Sequence, residues 1–219
     1  MGKYLGIILV WLLASCATFQ AYHTVPAKVT SWAESNVYRV STAVAWGTGF
    51  YINSTQMITA CHVVGESTIA RIGRPGKKSF KRMSVKFCDK DADVALLENT
   101  SSLTPGAQNT TLSYAMPPIG TAVWGAGHPL GGPLTITLGN LGNKLTPSAY
   151  IITTPTVPGD SGSPVLAIVD GKITVVGIRV SIARDSMEDN EGLTHPLLFT
   201  HLTFMVGSPT ILDLMDENL

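Results

Sequence analysis

Gly47-Thr48-Gly49-Phe50-Tyr51-Ile52-Asn53-Ser54-Thr55-Gln56-Met57-Ile58-Thr59-Ala60-Cys61-His62 holds two short apolar segments, 48–53 and 56–62, parted by the turn pair Asn53-Ser54. Strand, tight turn, strand is the expectation for such a stretch. Working outward, the same unit recurs. Strands are expected at 38–45 before it and at 68–73, 83–88 and 94–98 after it. Beyond a polar stretch from Asn99 to Thr111 come 120–126, 134–140, 149–155, 164–169, 173–181 and 197–205. Pro75-Gly76, Gly131-Gly132 and Asp170-Gly171 mark further turns, and the last suits a type I′ hairpin. A dozen strands in two groups of six predict an all-β fold of two antiparallel barrels. Only the tail, Ile211 to Asn218, reads as a short C-terminal helix.

Composition agrees. Of 219 residues 45% are apolar, enough for one large core or two small ones, and 21 glycines with 13 prolines suit many turns. Charged residues are 14% and the formal net charge is zero, so no global field draws the chain to nucleic acid, which is not expected as a partner. There is no internal repeat, and no stretch is left for a second domain such as a PDZ module.

The first segment reads differently. Lys3 precedes an apolar run over residues 4–14, too short for a bilayer core that takes about 20 residues. Residues 1–15 are therefore expected to be a signal peptide. Leu13-Ala14-Ser15-Cys16 resembles the lipobox of bacterial lipoproteins, which implies cleavage before Cys16 and a lipid on its thiol. An ordinary signal peptide that contains a cysteine is the alternative. Ala17 resembles the residue of lipoproteins sent to the outer membrane, so the expected place is its periplasmic side; plain secretion is the other reading. Residues 16–35 are then a tether, 36–206 the main domain (barrels at about 36–105 and 112–206), and 207–219 the tail. Sequons headed by Asn53, Asn99 and Asn109 matter only in a eukaryotic secretory pathway.

Three segments carry chemistry: Gly47-Thr48-Gly49-Phe50 with Ile58-Thr59-Ala60-Cys61-His62-Val63-Val64; Asp91-Ala92-Asp93-Val94-Ala95-Leu96-Leu97; and Pro158-Gly159-Asp160-Ser161-Gly162-Ser163-Pro164. In motif, order and spacing they resemble the trypsin-fold serine endopeptidases over roughly residues 36 to 206, and the order His, Asp, Ser is the chymotrypsin order. The resemblance implies Greek-key barrels with the active site between them and a protein or peptide substrate. It also implies a catalytic triad of His62, Asp93 and Ser161. A serine hydroxyl needs a base to take its proton, and a neutral imidazole does this near pH 7. Asp93 would hold the other ring nitrogen and stabilise the imidazolium. Asp91 is its rival, but the resemblance selects Asp93, since the family carries its triad aspartate in the Asp-Val-Ala-Leu-Leu run. By the same resemblance the N–H groups of Gly159 and Ser161 form the oxyanion hole, helped by backbone angles open to glycine.

Departures from the digestive trypsins narrow the reading. The Ile-Val-Gly-Gly start that supplies a partner for the matching aspartate is absent, so Asp160 is expected to bond locally. The wording of the motifs, with Gly127-His128-Pro129-Leu130-Gly131, looks closer to the bacterial HtrA-like and glutamyl endopeptidase branches; His128 reads as a turn residue. In the specificity pocket Pro155 stands where trypsins place an acid, which disfavours Lys or Arg substrates. Thr156 and Arg179 resemble the Thr and His with which glutamyl endopeptidases hold an acidic side chain. An Arg179 pointing outward from its strand, leaving a small apolar pocket, is the other reading.

Other signals fall away. Arg71 and Lys78 break the Gly-x4-Gly-Lys-Ser/Thr pattern that residues 73–79 suggest. The cluster Arg71, Arg74, Lys77, Lys78, Lys81 and Arg82 reads as a solvated hairpin, with contact to a polyanion or anionic lipid as the alternative. Five scattered histidines without His-Glu-x-x-His imply no metal, and no cofactor is expected. Cys61, next to His62 on a strand, should face away into packing. Whether Cys61 and Cys88 pair is open from spacing alone. A protease-fold binding or scaffold protein that does not cut is the functional alternative to an active endopeptidase.

Overall fold

The structure is a computed structural model that describes residues 24–77, 79–99, 109–188 and 194–218, with the side chains of 182–201 left out of account. The signal peptide and Cys16 lie outside the described residues.

All twelve expected strands are present. They run β1 Val37–Ser41, β2 Trp46–Tyr51, β3 Gln56–Thr59, β4 Ile69–Gly73, β5 Phe80–Asp89, β6 Val94–Glu98, β7 Ala122–Gly127, β8 Thr135–Lys144, β9 Ala149–Ile152, β10 Pro164–Val169, β11 Lys172–Glu188 and β12 Thr194–Gly207. The first six close into a barrel ordered β1-β2-β3-β6-β5-β4 and the last six into one ordered β10-β11-β12-β9-β8-β7. Read from β7, the second order repeats the first, and every strand pair is antiparallel. Closure leaves neither sheet an open edge.

Each barrel has its own interior. Val40, Tyr51, Met57, Val63, Ala95 and Leu97 fill the first; Val123, Leu141, Ile152, Val165, Val176 and Met205 fill the second. A third cluster lies between them, where Phe50, Ile58 and Leu96 meet Trp124, Leu166 and Ile178. This layer fixes how the barrels face each other. Leu112, just after the inter-barrel connection, makes a parallel bridge to Val175.

Three expectations need correction. Residues 16–35 are not wholly a tether, because Ala27–Asn36 forms helix α1. Val29, Trp32 and Ala33 of α1 are buried in the inter-barrel cluster, the Trp32 and Phe50 rings lie 6.3 Å apart, and Lys28 Nζ donates to Gly171 O of the second barrel at 2.9 Å. The strand expected over 56–62 stops at Thr59, and Cys61–Val64 makes one helical turn, α2. The first two N–H groups of that turn, on Cys61 and His62, are accepted by Asp93 O and Asp93 Oδ1. That capping satisfies donors that the start of a helix leaves open. The C-terminal helix, α3, starts earlier than read, at Ser208, and seats Ile211 in the same inter-barrel cluster.

Cys61 therefore points away from the cleft by helical rather than strand geometry. It is bonded to Cys88 of β5 as a disulfide, which ties α2 to the barrel wall.

If α1 is part of the core, Trp32→Ala lowers the free energy of unfolding by about 3–5 kcal/mol. Urea denaturation measures this directly; an unchanged midpoint would return residues 27–36 to the role of tether.

Candidate active site

One cleft of about 840 Å³ between the barrels is lined by His62 and Asp93 from the first and by Gly159, Ser161, Thr156 and Arg179 from the second. His62 is carried by α2, and Asp93 by the turn between β5 and β6. Ser161 sits in the long loop between β9 and β10.

The geometry of Asp93 is tightly determined. Its backbone is left-handed, with φ of 57°, a region that a short acidic side chain tolerates better than most. From there one carboxylate grips His62 twice. Oδ1 accepts the His62 backbone N–H at 2.8 Å, and Oδ2 lies 2.7 Å from His62 Nδ1. A carboxylate can only accept, so Nδ1 carries a proton, and in the neutral ring Nε2 keeps a free lone pair. Asp91, the rival in sequence, is exposed and makes no such contact.

The nucleophile loop is shaped by two glycines. Gly159 has φ of 99°, and a side chain there would run into Trp46, His128 O and Leu130 N. Gly162 has φ of 81° and lets the loop press onto Thr48 O, Thr59 Oγ1 and Ala60 N of the first barrel. The Asp160 N–H is used within the loop, donating to Val157 O at 3.1 Å. Among the described residues the N–H groups on either side of it, of Gly159 and Ser161, have no acceptor in the chain. Two unspent donors beside a serine hydroxyl suit an oxygen that becomes negative. Ser161 Oγ likewise makes no hydrogen bond among the described residues. Such contacts often tighten only when substrate is bound.

Thr48 pins this loop from the opposite barrel. Its hydroxyl donates to Gly159 O at 2.7 Å and accepts the His128 N–H at 2.9 Å, while its own N–H donates to Ser161 O at 2.8 Å. Nothing local in Gly47-Thr48-Gly49-Phe50 marks Thr48 for this task. His128 is a turn residue, as expected, but a buried one; burial lowers its pKa, against the Gly132 carbonyl that faces Nδ1 at 3.0 Å.

The pocket residues divide. Pro155 is exposed and does not line the cleft, whereas Thr156 is buried and does. Arg179 does not point outward: it is 1% exposed. Its Nη2 pairs with Asp160 Oδ1 at 3.2 Å, so Asp160 is held by a distant arginine as well as by the local Val157 N–H. Burial raises the Asp160 pKa and lowers that of Arg179, each against the pull of the other's charge. An arginine in the apolar run 175–180 signals a buried charge in need of a partner, but nothing local in the sequence names Asp160 as that partner. Among the described residues no three His, Cys, Asp or Glu side chains gather to hold a metal ion.

Comparison with known proteins places this geometry. Residues 47–178, more than half the chain, match the family model of the trypsin-like peptidase domain. No curated protein sequence matches. Among solved structures, the active form of the Rv3671c protease from M. tuberculosis is similar with a TM-score of 0.66 at 20% identity, covering 89% of this chain and 87% of that one. Its inactive form gives 0.67 at 21%, covering 89% and 96%. The serine endoprotease from Yersinia pestis gives 0.68 at 15%, covering 89% and 67%. At such identities these likenesses speak for the fold, and the matched domain speaks for the family. The chain belongs to the trypsin-like peptidases, serine-type hydrolases built on the chymotrypsin-like pair of barrels.

Proposed function

We propose that this protein is a serine endopeptidase in which Ser161, His62 and Asp93 act together on a protein or peptide substrate. The observation that carries the reading is the double hold of Asp93 on His62, which presents Nε2 to the cleft that Ser161 also lines. Ser161 Oγ attacks the scissile carbonyl carbon while His62 Nε2 takes its proton. The carbonyl oxygen becomes an anion and accepts the N–H groups of Gly159 and Ser161, a donor of this type being worth about 2.7–4 kcal/mol. The C–N bond then breaks, His62 protonates the leaving amine, and an ester to Ser161 remains. Water, deprotonated by His62, releases the acid and restores the serine.

Thr156, Arg179, Val180 and Phe204 line the same cleft as Ser161. The charge of Arg179 is already matched by Asp160. This favours a small apolar side chain on the substrate over an acidic one.

A fluorophosphonate probe tests the mechanism. The wild-type protein labels at Ser161, Ser161→Ala does not label, and Asp93→Asn turns over peptide about 10⁴-fold more slowly. A folded wild-type protein that never labels would instead indicate a binding or scaffold role.

We further propose that the enzyme is exported and held on the periplasmic side of the outer membrane by a lipid on Cys16. Support comes from the Leu13-Ala14-Ser15-Cys16 sequence and from the Cys61–Cys88 disulfide, a bond suited to an oxidising compartment. Cys16→Ser should move the protein from the membrane to the soluble fraction. Unchanged fractionation would overturn the anchor.

A further inference from the structure

The buried charge of Arg179 has no place in the proton transfers above, yet the molecule is shaped around it. Its Nε donates to Ser163 Oγ at 2.5 Å. Its Nη1 donates to Pro155 O and Thr156 Oγ1, both at 3.2 Å, and Nη2 meets Asp160 Oδ1. The backbone joins in: Arg179 N donates to Ser163 O at 2.9 Å and Gly162 N donates to Arg179 O at 2.7 Å. One residue of β11 thus grips the loop at Pro155 and Thr156 on one side of Gly159, and at Asp160, Gly162 and Ser163 on the other.

Space for the guanidinium is provided by β7. A Cβ on Gly125 would lie 2.8 Å from Arg179 Cζ, and one on Gly127 would lie 2.9 Å from Arg179 Nη2. Two glycines at alternate positions of one strand thus leave the room that the guanidinium occupies. If compactness alone were at stake, apolar residues would fill the space at least as well, since desolvating two charges offsets much of their attraction. What an ion pair adds is direction. The planar, permanently charged fork fixes where the Asp160 carboxylate must lie. Asp160 is the peptide link between Gly159 and Ser161, so turning its side chain inward orients the peptide units on either side.

Resting on the serine-endopeptidase reading above, we propose that Arg179 is a positioning residue: paired with Asp160, it holds the 155–163 loop so that the Gly159 and Ser161 N–H groups face the cleft. The cation that orders this loop is internal to the second barrel. It governs the rate of the chemical step, and it does not read the substrate's side chain.

The test compares Arg179→Gln and Arg179→Lys with the wild-type protein on peptides ending in Ala, Val or Glu at the cleaved bond. Thermal melts and hydrogen exchange over 155–163 are measured alongside. Arg179→Gln is expected to lose about 100-fold in kcat on every peptide, the scale of one lost oxyanion donor, with KM little changed. Exchange in the loop should rise, and Arg179→Lys should recover part of both, since it keeps the charge but not the fork. A folded Arg179→Gln with wild-type kcat and exchange would overturn the proposal. So would a loss confined to KM on the Glu peptide, which would make Arg179 a reader of acidic side chains. If Arg179→Gln does not fold, Asp160→Asn and Arg179→Lys give the same comparison. A wild-type protein that fails to label at Ser161 would overturn the endopeptidase reading, while loop exchange would still decide whether Arg179 orders the segment.

Discussion

Thr48 joins two halves that the chain builds separately. Histidine and aspartate belong to the first barrel and the serine loop to the second, and β2 meets that loop through the Thr48 hydroxyl and N–H. A hydrogen bond of this kind adds only about 1 kcal/mol net, so these contacts do not hold the barrels together. The apolar layer between them does that, since each fully buried large side chain contributes roughly 1.5–3 kcal/mol. The division is useful. Burial brings the barrels face to face without directional preference, and the hydrogen bonds of Thr48 then set Gly159 and Ser161 in register with α2.

Two aspartates in the site are separated in role by burial. The Asp93 side chain is 26% exposed and pairs with His62, which in the proposed mechanism gains and loses a proton. Asp160 is closed in and faces an arginine, which stays protonated in proteins. A titratable partner suits a group that takes part in proton transfer, and a permanent one suits a group that keeps a loop in place. Exchanging the two partners would spoil both tasks.

Much of this was legible in the sequence. The strands are readable because turns and apolar segments alternate at short range, while Asp93 is set apart from Asp91 by the resemblance of the Asp-Val-Ala-Leu-Leu run to the place where the family carries its triad aspartate. Helix α1 is not legible there. Its buried residues Val29, Trp32 and Ala33 do fall at helical spacing, but Pro26 at its start offers no side-chain cap and Val, Thr, Ser and Asn are weak helix formers. The end of β3 at Thr59 is not legible because its cause, the Asp93 carbonyl and carboxylate, lies far along the chain. Arg179 with Asp160, and Cys61 with Cys88, are likewise long-range pairs; local pattern names the partners but not the pairing.

The central claim is that Ser161 Oγ, His62 Nε2 and the N–H groups of Gly159 and Ser161 converge on one reacting carbonyl. A crystal structure with a peptide boronic acid measures that convergence directly. The account predicts a boron–oxygen bond to Ser161, one boronate oxygen at about 2.7–3.1 Å from both N–H groups, and the other oxygen turned toward His62. A boronate bound elsewhere, or an adduct whose oxygens face solvent away from Gly159, would contradict it.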